Sequence, residues 1–143
     1  MTTASSAAPP IGTHLVLPRG HLVFYWVTTA FVAFNSATAG TLDVLRIQPF
    51  FGMLLHLGYP AYFSAILGTW KVLGALAIVV PGTPRLKEWA YAGLFFDCTS
   101  AALSYLATGA GLVQTLGPLL FAAVLVASWA LRPPTRRLPT ARR

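Results

Sequence analysis

Four long apolar stretches, separated by short turns, occupy most of this sequence and constrain its fold more than any other feature. They cover about residues 22–42, 61–80, 86–108 and 112–131. A helix of about 20 predominantly apolar residues is long enough to cross the hydrocarbon core of a bilayer. We therefore predict an all-α membrane protein, in which residues 21–131 form a bundle of four transmembrane helices.

The scarcity of charged residues supports a membrane location. Of the 143 residues, 56% are hydrophobic and only 9% are charged, whereas about a quarter of the residues in a soluble domain are charged. The single cysteine, Cys98, excludes an internal disulfide and a CxxC motif. No motif for a metal or a cofactor is recognisable, and no cofactor is assigned from the residues alone.

The segment between the first two apolar stretches, residues 43–60, is too short and too broken by glycine and proline to cross the bilayer. Its apolar residues nevertheless recur at helical spacing, at Phe50, Met53, Leu54 and Leu57. This spacing predicts a short amphipathic helix that lies in the interface between spans one and two.

Basic residues lie mostly on one predicted side of the membrane. Eight of them flank that side, and Arg46 alone flanks the other; the eight are Arg19, Arg85, Lys87, Arg132, Arg136, Arg137, Arg142 and Arg143. The excess predicts cytoplasmic termini in the inner (plasma) membrane of the cell. Residues 1–20 are predicted to be a flexible tail, and residues 132–143 a basic tail that contacts anionic lipid headgroups. Nucleic-acid binding is not expected, since no aromatic residues interleave with these arginines.

Lys71 and Asp97 are the sole charged residues within the stretches 61–80 and 94–108. An ionisable residue in the membrane costs several kcal/mol unless it is paired or hydrated. Prolines at positions 81 and 84 end span two and place a tight turn before span three. Counted from that turn, Lys71 and Asp97 both lie roughly 14–17 Å deep, so we predict that they form a pair inside the bundle.

A polar stripe surrounds Asp97 on the predicted third span. Ser100, Ser104 and Thr108 follow it at intervals of three to four residues, and so share one helical face. The opposite face, with Leu94, Phe95 and Leu106, is predicted to contact lipid. The residues predicted to line a pocket around the pair are Asn35, His56, Ser100, Ser104 and Tyr105.

Small residues on span one predict close packing against another span. Ala33, Ala37 and Thr41 are spaced four residues apart, as are Ser36 and Gly40. Small residues at this interval allow two helices to approach closely in a membrane.

About three quarters of the chain resembles the DoxX-like family of small four-helix membrane proteins. The matching segments are YWVTT at 25–29, HLGYPAYF at 56–63, ILGTWKVLGA at 66–75, PGTPRLKEWAYAG at 81–93, FD at 96–97 and AALS at 101–104. The resemblance implies an association with membrane redox reactions, since some DoxX relatives are similar to subunits of thiosulfate:quinone oxidoreductases and others join oxidative-stress complexes. In the family pattern a histidine follows the serine equivalent to Ser104; here Tyr105 stands there, and its hydroxyl can still hydrogen-bond a ligand.

Three functions remain open from the sequence. In the first, the bundle binds a small hydrophobic molecule, with a quinone as one candidate, through Lys71 and Asp97, or serves as a membrane subunit of a redox complex. In the second, the protein is a non-catalytic scaffold that recruits a protein partner or a second copy, and the charged pair only fixes the register of two helices. In the third, the protein is a membrane enzyme acting on a lipophilic substrate, with Asp97 as its acid or base.

Overall fold

Five α-helices form the part of the protein that the structure, a computed structural model, describes, residues 19–133. They are α1 (Arg19–Val44), α2 (Phe50–His56), α3 (Ala61–Val79), α4 (Pro84–Ala107) and α5 (Leu112–Ala130). Residues 1–18 of the predicted N-terminal tail and residues 134–143 of the predicted basic tail lie outside the described residues.

Prolines and glycines fix where the helices begin and end. α3 begins directly after Pro60, and α4 has Pro84 at its first position, where the missing proline N–H needs no partner within the helix. Gly82 and Gly109 have positive φ angles of 80° and 70° in the turns before and after α4, a conformation that glycine adopts without steric cost. These short turns fold α4 back against α3, and α5 back against α4.

α1 and α3 form the closest helix contact of the bundle. A β-carbon added to Gly40 would lie 2.6 Å from the carbonyl oxygen of Gly68, and one added to Gly68 would overlap the carbonyl oxygen of Gly40. A side chain at either position would therefore force the backbones apart. The small residues of span one were predicted to allow close packing against another span, and Gly40 does so against α3.

Three of the four long helices are apolar enough over their length to cross a membrane: α1 from Gly20, α3 and α5. α4 is also long, at 24 residues, but it carries Arg85, Lys87, Glu88 and Asp97, and these charges lower its hydropathy. The described chain is thus an all-helical membrane protein with three candidate spans.

The hydrophobic core packs side chains from all four long helices, namely Val32, Ile78, Tyr91, Leu94 and Leu125. The prediction that Leu94 contacts lipid is wrong, since only 4% of this residue is exposed. Its side chain fills the space left by Gly74 on α3, where an added β-carbon would lie 3.3 Å from it. A helical face judged from α4 alone could not show this, because the space is provided by another helix.

Candidate functional site

The two charges that the sequence places inside the bundle belong to a cluster of three, Asp43, Lys71 and Asp97, which we call the inner ion cluster. The Lys71 ammonium donates a hydrogen bond of 2.9 Å to Asp43 Oδ2 and lies 3.6 Å from Asp97 Oδ2. Three helices therefore contribute one charge each. The predicted proximity of Lys71 and Asp97 is present, but the stronger partner of Lys71 is Asp43.

Asp43 was assigned by the sequence to the connection after span one, but α1 continues to Val44 and so includes it. Its side chain is 6% exposed, and its carbonyl oxygen accepts a hydrogen bond of 2.5 Å from Ser64 on α3. One sequence signal could have revealed it. Ser36, Gly40 and Asp43 are spaced i, i+4 and i+7, so they share the helical face that packs on α3.

A cavity of about 490 Å³ lies beside the inner ion cluster, between α1, α4 and α5. We call it the inner pocket. Its walls are mostly apolar, with Phe31, Leu94, Pro118 and Phe121 among them, and the three charges of the cluster are exposed at one place in these walls. An apolar cavity with a few convergent polar groups is the usual form of a small-molecule site.

A buried serine adds to the polar groups of the inner pocket. Ser36 lines the pocket and is only 3% exposed, yet its hydroxyl has no hydrogen-bond partner among the residues that the structure describes. Leaving a buried hydroxyl without a partner costs about 1–3 kcal/mol. The position of Ser36 in the pocket wall makes this hydroxyl available to a bound ligand.

Two of the predicted pocket residues, Asn35 and Tyr105, do line the inner pocket. Asn35 is exposed within it, so its amide is available to a ligand. The Tyr105 hydroxyl donates a hydrogen bond of 2.6 Å to the sulfur of Met53 on α2. This contact ties the helix between α1 and α3 to the rim of the pocket.

The other three predicted pocket residues are placed differently. Ser100 lines cavities on other sides of α4, and its hydroxyl donates to the Phe96 carbonyl oxygen at 2.6 Å. Ser104 is 2.8 Å from the hydroxyl of Tyr59 and does not border the inner pocket. His56 is exposed at the end of α2 and borders none of the cavities beside the inner ion cluster.

The segment from α2 to Tyr59 covers the inner ion cluster on another side. A small cavity of about 130 Å³ separates them, and it is bordered by Met53, Leu57, Tyr59 and the three charges. The Tyr59–Ser104 and Tyr105–Met53 hydrogen bonds hold this cover against α4. Of the two cavities that border all three charges, the inner pocket is the larger.

A second charged cluster joins the beginning of α4 to the end of α5, and we call it the turn-end cluster. Glu88 accepts hydrogen bonds from Arg132 at 2.6 Å and from the indole N–H of Trp129 at 2.7 Å. The Arg132 guanidinium also lies over the rings of Tyr91 and Trp129. Arg132 was predicted to begin a basic tail that contacts anionic lipid headgroups, but it is only 3% exposed. Its pairing with Glu88, 44 residues away, was not visible in the sequence.

Lys87 is also buried, although the sequence places it among the basic residues that flank the membrane. Its ammonium donates to the carbonyl oxygens of Ala77, at 3.0 Å, Ile78, at 2.6 Å, and Val80. These carbonyls belong to the last turn of α3 and the residue after it, where a helix leaves acceptors without internal donors. Lys87 therefore holds the α3–α4 turn closed.

The fold and the inner pocket define a helical membrane protein with a charged cluster beside an apolar cavity. The profile of the DoxX-like family matches residues 27–128. This range includes α2, α3 and α4 and most of α1 and α5. It contains the whole inner ion cluster, but Trp129 and Arg132 of the turn-end cluster lie just beyond it. The chain therefore belongs to the DoxX-like family. No curated protein and no solved structure gives a significant match.

Proposed function

We propose that this protein binds a small hydrophobic molecule with a polar headgroup in the inner pocket. The polar groups of the ligand contact the inner ion cluster and Ser36, and the apolar part next to them lies against the walls formed by α4 and α5. The observation that carries this proposal is the Ser36 hydroxyl, which is buried in the pocket wall without a partner among the described residues. A bound headgroup would satisfy it.

A quinone-like molecule fits the chemistry of the inner pocket. Its carbonyl oxygens accept hydrogen bonds, and the pocket offers donors in the Ser36 hydroxyl and the Asn35 amide. The aromatic rings of Phe31 and Phe121 border the same space and can stack on a flat ring. The redox association that the family resemblance implies agrees with such a ligand, and we extend the proposal to a role as a membrane subunit of a redox complex.

The proposal includes a four-span arrangement in the inner membrane, with α4 as the fourth span. Its 24 residues correspond to about 36 Å of helix, enough to cross the hydrocarbon core. Two of its charges near the turn have partners: Lys87 donates hydrogen bonds to carbonyl oxygens of α3, and Glu88 pairs with Arg132. α2 then lies in the interface, and both termini are cytoplasmic.

Mass spectrometry of the molecules that co-purify with the protein tests the binding proposal, with Ser36→Ala compared with Ser128→Ala. Both serines are buried, but Ser128 is already hydrogen-bonded to Thr29 and Tyr91, at 2.9 Å each. Removing the Ser36 hydroxyl should leave stability unchanged or raise it, and should lower ligand retention several-fold. Ser128→Ala should lower stability by about 1 kcal/mol or more and retain the ligand.

Two outcomes would contradict the proposal. One is that native protein, extracted in mild detergent, carries no molecule beyond bulk membrane lipid. The other is that Ser36→Ala retains a specific ligand as well as Ser128→Ala does.

A scaffold without a ligand is a second candidate, favoured by the Asp43–Lys71 hydrogen bond. Together with the Ser64–Asp43 contact, this bond connects α1 to α3 where the two backbones are closest. An ion cluster that only held α1 against α3 would support the assembly of the bundle and would not bind a ligand. The comparison of Ser36→Ala with Ser128→Ala separates the two functions, since a scaffold needs no ligand at Ser36.

A further inference from the structure

A groove of about 750 Å³ follows the outer surface between α3 and α4, on the side of the ion cluster away from the inner pocket. We call it the α3–α4 groove. Strongly exposed side chains border it, including Trp70, Trp89 and Phe96. In a membrane-spanning bundle this groove faces lipid.

Among residues 19–133, three side chains border both the groove and the inner pocket: Lys71, Leu94 and Asp97. The wall between the two spaces is therefore thin. It contains an ion contact of 3.6 Å, longer than a hydrogen bond, and the side chain of Leu94, which packs against Gly74 of α3. These three residues form the partition between the two spaces.

Polarity changes along the groove. The polar residues Lys71, Asp97, Thr99 and Ser100 lie at the partition or beyond it. From the partition toward the α3–α4 turn, the walls are apolar, with Leu73, Ala77, Leu86, Trp89, Ala90 and Gly93. The polar residues lie near the middle of the groove, since Leu67 and Leu103 border it beyond them. The apolar part runs from Lys71 to Ala77 on α3, about 9 Å, and from Leu94 to Leu86 on α4, about 12 Å, at the helical rise. A polar section joined to an apolar channel matches the shape of an amphiphile with one hydrocarbon chain.

We propose that the α3–α4 groove binds the hydrocarbon chain of the ligand whose headgroup occupies the inner pocket, and that this ligand enters from the bilayer between α3 and α4. The inference rests on the proposed function and adds a second half to its site. It assigns the ligand to the class of amphiphiles with a headgroup small enough for the inner pocket and a single long alkyl or isoprenoid chain. Leu94 and the Lys71–Asp97 contact are then the gate between the two halves.

Two glycines allow each half to be filled separately. Gly93 borders the groove and Gly117 borders the inner pocket, and a β-carbon added at either would have no neighbour within 4 Å. Leucine at either position projects into its own cavity and is a better helix former than glycine. Ala123, exposed on α5 and bordering neither cavity, provides the control Ala123→Leu.

The experiment measures binding of a decyl-substituted benzoquinone and of its methyl-substituted homologue to the full chain in nanodiscs. Gly93→Leu should weaken decyl binding by about tenfold, because the chain loses its apolar contacts, and should change methyl binding by less than about twofold. Gly117→Leu should weaken both probes, and Ala123→Leu neither. Gly93→Ala is a smaller change and should give an intermediate loss of affinity for the decyl probe. It tests the same wall if the leucine variant does not fold.

Failure of this inference differs from failure of the proposed function. If both probes bind and Gly93→Leu leaves decyl affinity unchanged, or weakens both probes equally, the groove does not hold the chain and contains only bulk lipid or a protein partner. If the native protein binds neither probe, the proposed function and this inference are overturned together.

Discussion

The inner ion cluster and the turn-end cluster use similar chemistry in different surroundings. Together they engage all three acidic residues of the chain, Asp43, Glu88 and Asp97. At the turn end, both oxygens of Glu88 are occupied, one by Arg132 and one by Trp129. In the inner cluster, two carboxylates share one ammonium, and the longer of the two contacts is 3.6 Å.

The two clusters also differ in the cavities beside them. The inner ion cluster borders three cavities, whereas the turn-end cluster borders one of about 320 Å³, through Glu88, Tyr91 and Trp129, and its Arg132 is buried under the rings of Tyr91 and Trp129. A cluster whose carboxylate already has a donor on each oxygen holds helices together. A cluster with an incompletely paired carboxylate beside empty space can also receive a ligand. In our proposal, this difference in pairing and access, rather than the presence of charge, separates the structural site from the binding site.

The largest effect is expected from Lys71→Met, which leaves Asp43 and Asp97 without their cation. Breaking a buried ion pair by removing one partner costs about 3–5 kcal/mol, so the free energy of unfolding should fall by about 3 kcal/mol or more. Denaturant unfolding in mixed micelles measures it. Arg85→Met is the control: Arg85 is exposed, and its loss should cost less than about 0.5 kcal/mol. Equal stability of the two variants would show that the cluster does not hold α1 to α3.

A smaller effect is expected from Glu88→Gln in the turn-end cluster. The amide replaces one of the two acceptor oxygens with an NH2 donor, which then faces Arg132 or Trp129, and hydrogen bonds to charged groups contribute about 1.5–3 kcal/mol. Because Glu88 is partly exposed, a loss of about 1–2 kcal/mol is expected, with ligand binding unchanged. Thermal unfolding and binding of the decyl benzoquinone check both parts. A loss of binding without a loss of stability would reverse the roles of the two clusters.

These roles could be read only in part from the sequence. The proline pair at positions 81 and 84 predicted the turn between α3 and α4 within a few residues, and helical rise then placed Lys71 and Asp97 at similar depth. The positions of the prolines and the helical rise were sufficient to predict this proximity, because a short turn joins the two helices. The assignment to the DoxX-like family, made from sequence segments, is confirmed.

Contacts between distant helices were not predictable in the same way. Asp43 was missed because the end of an apolar stretch does not mark the end of a helix, and α1 extends two residues beyond the apolar stretch. Arg132 was assigned to a tail because nothing in the local pattern points to Glu88. Leu94 was assigned to lipid because the space beside Gly74 belongs to another helix. Each error concerns a partner that is far away in the sequence.

Asp97→Asn, compared with Glu88→Gln, tests the central claim most directly, through the affinity for the decyl benzoquinone and the stability of the same samples. Lys71 keeps its 2.9 Å bond to Asp43 in this variant, so stability should fall by less than about 1 kcal/mol. The affinity should fall about tenfold or more, equivalent to about 1.4 kcal/mol, because Asp97 no longer orients the Lys71 ammonium, which is the charged donor for a headgroup carbonyl. Unchanged affinity together with a stability loss as large as that of Glu88→Gln would show that the inner ion cluster is structural, and would contradict the account.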